Sequence, residues 1–470
     1  MNNFKGALDI DDALLSKVSE SVSAAFPSKL ALLGQLVRIE GIAWEAFDPQ
    51  NLENSAQTVA ELLRATGVFD LVDIRRATLT DGFVGAPAVV ASRSAKNGKP
   101  TFLLYAHHDV QPPGNLAEWE TPPFEPTLKN GRLYARGAAD DKAGIVAHLT
   151  AIETIKAVLG EDFDLGIKVF IEGEEEAGSP TFRAFLDENR EILSADAIVV
   201  ADSGNWTPEI PALTTTLRGL VSQVIEVSTI DHALHSGMYG GVVPDAMTAM
   251  IKLLATLHDS HGSVAVEGLV SGFAAELPYT EAELRRDAGV PDGLSLIGRG
   301  SILDRIWAQP SITVIGVDGQ SVALSSNTLL PKAKAKISMR IAPGDDPERA
   351  LVALRTHIDK NLPWGATVEY GDIETGKPFG GDTSGWAQTL AEGSLEAAFG
   401  NPTAHIGIGG SIPFIADLNE VFPAAQILVT GVEDADSRAH SPNESLHVES
   451  LRKAMVAESL MLIRANSMTR

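Results

Sequence analysis

The chain has 470 residues, 44% hydrophobic and 21% charged, enough for roughly two to four domains of ~150 residues each. Its 37 Lys+Arg against 62 Asp+Glu leave a formal charge of −25, which disfavours nucleic acid and anionic membranes as partners, since phosphate binding needs clustered cationic side chains. Cysteine is absent, which excludes disulfides, thiolate metal sites, iron–sulfur clusters and thiol nucleophiles.

No basic stretch followed by an apolar one opens the chain, so no signal peptide is expected. No apolar run approaches the ~20 residues of a membrane helix. A cytoplasmic protein is expected. Apolar residues at helical spacing predict helix over 11–40, with a break at Pro27. Strands are expected at 88–92 and 101–106, joined by a turn at 96–100, and a hairpin turns at Asn130-Gly131. A helix over 142–159 ends at Gly160, and strand 167–171, a helix near 180–189 and strand 197–201 follow. Strands alternating with helices indicate a three-layer α/β/α domain with a largely parallel sheet.

The rhythm changes after residue 213. Strand 220–228, helix 243–257, strands 312–317 and 333–341, helix 345–361 and strand 366–370 give a β-α-β-β-α-β order. That is the ferredoxin-like α+β arrangement, so 214–376 is read as a domain inserted into an α/β domain made of 1–213 and 377–470. Residues 262–300 show no usable pattern. The α/β rhythm returns with helix 384–399, strand 425–429 and a last helix over 447–465.

Four segments carry polar chemistry just past strand ends, where open α/β sheets place their ligands. They are His107-His108-Asp109, Asp140-Asp141 before a helix, Glu172-Gly173-Glu174-Glu175-Glu176, and Asp202. Strand alternation sends His107 and Asp109 one way and His108 the other. Taken singly, Asp140-Asp141 is also a helix cap and the acidic run also a solvated face. Together with His440, beyond the 425–429 strand, they bring two imidazoles and several carboxylates to one sheet edge. Such a set suits Zn2+ or Mn2+. Two divalent ions on three carboxylates and two neutral imidazoles keep a net positive charge that acidifies water, and a further Glu would take the proton.

These motifs resemble the co-catalytic dizinc peptidases that include carnosinase-type dipeptidases, aminoacylases, glutamate carboxypeptidases and succinyl-diaminopimelate desuccinylases. The matching runs are Tyr105–Pro112, Arg136–Gly144, Glu172–Ser179, Asp202 and Ala439-His440-Ser441, in the family's order along nearly the whole chain. The resemblance implies two divalent ions. His107 and Asp202 would hold one, Glu176 and His440 the other, with Asp140 between them. It makes Glu175 the general base and Asp109 the residue that orients His107. It makes the inserted domain a lid and dimerisation domain whose His235 stabilises an oxyanion across a homodimer.

Gln111-Pro112 and Glu172-Gly173 look most like the dipeptidase branch. There Thr328, Arg340 and Ser411 would grip the carboxylate of a small peptide substrate. Gly407-Ile408 departs from the Arg-Glu that often precedes Gly-Gly-Ser. The implied activity is exopeptidase hydrolysis of dipeptides or short peptides, with N-acyl-amino-acid hydrolysis as the alternative. A phosphate loop at 371–378 is disfavoured because Pro378 replaces the Mg2+-binding hydroxyl and two acids sit inside it. No Gly-x-Ser-x-Gly elbow supports a serine hydrolase. A scaffold that has lost its activity would have lost a ligand or Glu175, and all are present.

Overall fold

Thr101–His107 is apolar on both faces, because helices cover both sides of its sheet. Phe102, Leu104 and Ala106 enter one core with Leu33, Ile152, Leu390 and Leu460, from helices Asp12–Val37, Lys142–Leu159, Trp386–Phe399 and Val448–Ser467. On the other face the Tyr105 ring meets Phe170 edge-on at 5.5 Å, and Phe170 stacks on Phe185 at 4.8 Å. The result is three layers.

The structure is a computed structural model and describes residues 4–410 and 413–470. The six-stranded sheet runs in the order Leu71–Arg75, Ala88–Arg93, Gly166–Glu172, Thr101–His107, Ala197–Val200, Gln426–Val429. The last four strands are mutually parallel and the first two pair antiparallel.

The chain forms two packed units. One runs to Thr215 and adds Gly381–Ile406 and Asp417–Arg470; the other is Thr216–Gly380 with Gly407–Ala416. The second unit starts and ends within a few residues of 214–376, but it also takes Gly407–Ala416, which the sequence reading left with the α/β domain. Its four-stranded antiparallel sheet has the order Ser311–Asp318, Lys332–Ile341, Gly219–Ser228, Thr367–Gly376. Helices Ala246–Ala255 and Pro347–Asn361 bury Leu253 and Leu354 against Ile225, Ile337 and Met339 of that sheet. Residues 262–300 hold one short helix, Glu281–Asp287, started by a capping box between Thr280 and Glu283.

One expectation fails. Asp12–Val37 is a single helix that continues through Pro27. A proline removes one N–H and crowds the preceding turn. Val18 and Val22 before it and Leu33 and Leu36 after it are all buried in the same core, which offsets that loss.

A buried ion pair fixes the turn that leads into the site. Arg136 Nη1 lies 2.7 Å from Glu444 Oε2, with side chains 1% and 0% exposed. Glu444 also accepts from the backbone N–H groups of Gly137, Ala139 and Asp140 at 3.0, 3.0 and 3.2 Å. Removing one partner of such a pair leaves a buried, uncompensated charge. Arg136→Met is therefore expected to lower unfolding stability by about 3–5 kcal/mol, read by urea denaturation.

Candidate metal centre

Strands Gly166–Glu172, Thr101–His107, Ala197–Val200 and Gln426–Val429 run parallel, so the residues following each emerge at one edge. This edge collects Asp109, Glu175, Glu176, Asp202 and His440 around His107. Asp140 joins from the turn before helix Lys142–Leu159.

Asp140 stands between two imidazoles. Its Oδ1 lies 3.0 Å from His107 Nε2, and its Oδ2 lies 3.0 Å from His440 Nε2. His440 Nε2 also lies 3.1 Å from Glu176 Oε2. Asp109 ties two motifs together. Its Oδ1 is 3.3 Å from His107 Nδ1, and its carboxylate accepts from the backbone N–H of Glu175 at 3.2 Å and of Glu176 at 3.0 Å. Thus Asp109 positions the acidic loop as well as the imidazole. The separation of His107 from His108 follows strand alternation: His108 turns away, with Nε2 2.7 Å from Pro87 O.

Asp141 closes the scaffold. Its carboxylate caps helix Lys142–Leu159 through Gly144 N and accepts from His107 N at 3.2 Å. A Cβ at position 144 would sit 2.4 Å from Asp141 Oδ1 and 2.9 Å from Ala201 Cβ, so a side chain there would displace the cap.

The donor set asks for positive charge. His107, Asp140 and Glu176 present ligand atoms within 4.8 Å of one another, and so do His107, Glu175 and Asp202. Burial pushes the Asp202 carboxyl up to about 7, with Asp140 and Glu176 adding repulsion against the pull of His107. Glu175 is raised by burial and then by Asp202. Burial opposes a charged His107, but the Asp109 and Asp140 carboxylates outweigh it and raise its pKa. His440 is raised to about 11 by its hydrogen bonds to Asp140 and Glu176. Burial and mutual repulsion thus raise the site's affinity for positive charge. A site of His nitrogen and carboxylate oxygen, with one carboxylate facing an imidazole on each side, fits a pair of divalent ions.

In the second unit His235 and Thr328 are directly opposed on a two-stranded ladder, and His235 is exposed, its Nδ1 accepting from Gly237 N. Arg340 lies on Lys332–Ile341, opposite Ser311 and Leu220. Ser411 falls outside the described residues. Sequence reasoning used Gln111 only as a branch signature and gave it no task; it donates to Glu176 from its backbone N at 3.2 Å and from Nε2 at 2.8 Å. Sequence reasoning missed Glu444, whose tie to Asp140 spans 304 residues.

Residues 103–463 match the family described as peptidase family M20/M25/M40. The chain belongs to that family. This peptidase is 34% identical, over 87% of its length and 90% of the relative's, to a cysteinylglycine-S-conjugate dipeptidase of Corynebacterium striatum. It is 25% identical, over 94% and 96%, to the Cys-Gly metallodipeptidase dug1 of Schizosaccharomyces pombe. Human carnosine dipeptidase 1 shares the fold, with a TM-score of 0.75 at 22% identity, covering 98% of this chain and all (100%) of the human one. Among the described residues no helix is long and apolar enough to cross a membrane.

Glu175 and Glu176 are adjacent but differently placed, since only Glu176 touches His440 and Gln111. Glu176→Gln is expected to lose bound metal after dialysis against Zn2+ buffer. Glu175→Gln is expected to keep it and to lose turnover by about 10²-fold or more, the scale of a missing general base. Metal analysis beside kcat separates the two, and the opposite pattern would exchange their roles.

Proposed function

We propose that this peptidase is a metal-dependent dipeptidase that cleaves dipeptides and short peptides with a free C-terminal carboxylate. The observation that carries this reading is the position of Asp140 between His107 and His440, one oxygen to each, with Glu175 close by. The relatives reported above support it by name, and no observation favours the N-acyl-amino-acid hydrolase over it.

In this reading His107, Asp202, Glu176, His440 and Asp140 would hold the divalent ions, His107 and Asp202 on one side of Asp140 and Glu176 and His440 on the other. The ions, Zn2+ or Mn2+, would supply Lewis acidity, polarising the scissile carbonyl and acidifying the attacking water. Glu175 takes the proton from that water and hands it to the departing amine. Burial, then Asp202, raises its proton affinity. Asp109 keeps His107 and the Glu175–Glu176 backbone in register through both carboxylate oxygens.

Thr328, Arg340 and Ser411 grip the substrate carboxylate, for which a guanidinium offers paired donors. His235 donates to the oxyanion and is supplied by the partner chain of a homodimer. The test compares free and C-terminally amidated dipeptides. Amidation is expected to lower kcat/KM by at least about tenfold, the scale of a lost charge-assisted hydrogen bond, and Arg340→Ala is expected to raise KM for the free peptide only. Equal rates on both peptides would contradict the reading.

A further inference from the structure

Glu433 is a carboxylate at this edge to which the mechanism gives no task. Its backbone is stitched to the segment just after Asp202. Asn205 N donates to Glu433 O at 2.7 Å, and Glu433 N donates to Ser203 O at 3.3 Å. Gly204 allows the close approach, since a Cβ there would lie 3.0 Å from Glu433 O and 3.2 Å from Glu433 Cβ. The flanking residues are committed elsewhere. Val432 is buried in the core, and both oxygens of Asp434 receive Arg132 at 3.0 Å.

The Glu433 carboxylate itself meets no hydrogen-bond or ion-pair partner among the described residues. It is partly buried, and burial followed by the charges of Asp140, Asp202 and Glu444 holds its proton well above the usual carboxylate range. A partly buried carboxylate with acidic neighbours and no cationic partner favours the arrival of a positive group.

A dipeptide brings that charge. Its α-ammonium nitrogen is two bonds from the scissile carbonyl carbon, about 2.5 Å away from bond lengths near 1.5 Å, so it must lie beside the metal cluster. Asp140, Glu176 and Asp202 are spent on metal and Glu175 on the proton. Glu433 is left without such a task, and an ammonium beside the cluster would offset its charge.

We propose that Glu433 binds the free α-ammonium group of the substrate's N-terminal residue and so makes a free amine the criterion for substrates. The inference rests on the dipeptidase reading. An N-acyl amino acid lacks that charge and leaves Glu433 unpaired.

Alanylglycine and propionylglycine differ only in the amine and form the test pair. KM and kcat for alanylglycine, the inhibition constant of propionylglycine as a competitor, and bound metal are measured for the wild type and for Glu433→Gln. The expected result is a rise in KM for alanylglycine of about 10- to 100-fold, the scale for losing one hydrogen bond to a charged group. The propionylglycine constant, kcat and the metal content should stay within about twofold of wild type. An equal weakening toward both compounds, a collapse of kcat, or loss of metal would overturn the proposal. In the wild-type arm alone, faster turnover of propionylglycine than of alanylglycine would instead overturn the dipeptidase reading.

Discussion

Carboxylate repulsion at one sheet edge is the constraint on which the site's construction depends. Asp140, Glu175, Glu176, Asp202 and Glu433 lie near His107 and His440, and burial first, then the neighbouring carboxylates, raise the proton affinities of Glu175, Asp202 and Glu433. Such a cluster persists only where the scaffold holds each group firmly and a cation offsets the repulsion. The scaffold answers with carboxylates aimed at backbone rather than at metal. Asp109 takes two N–H groups of the acidic loop, Asp141 takes His107 N and the helix start, and Glu444 takes three N–H groups of the turn before Asp140. The ligands are thus positioned by other acids, each accepting at least two backbone N–H groups.

This arrangement ties function to topology. Parallel strands send their C-terminal ends the same way, so residues far apart in sequence share one edge. The cores that orient those strands are ordinary apolar packing. The distinctive feature is the density of charge at the edge.

Much of this was legible in the sequence, for identifiable reasons. Helix Lys142–Leu159 ends at Gly160 with φ +89°, as a C-terminal glycine predicts. The Asn130-Gly131 turn has φ of 52° and 78°, the conformation those residue types favour. His107 and His108 part as strand alternation requires. The pairings that escaped notice are those set by tertiary contact. The helix through Pro27 is carried by core burial rather than by propensity, and strand Ala212–Leu217 contains a threonine run that signals no particular face. Glu444 looks like one more polar residue after a histidine until the fold brings it against Arg136. Glu433 lies seven residues before His440, in a loop that reads as solvated acid, and only its backbone pairing with Gly204 places it beside Asp202.

Together these carboxylates and imidazoles make a donor set suited to two divalent cations. The most direct measurement is calorimetric titration of the chelated protein with Zn2+ at pH 7 in two buffers of different ionisation enthalpy. His107 and His440 hold protons more tightly in the folded protein than free imidazole does, and Glu175 and Asp202 more tightly than free carboxylates. Binding must therefore displace protons, and affinity must rise with pH. About two ions per chain are expected, with proton release on binding. A single ion, or binding whose heat is independent of buffer, would contradict it.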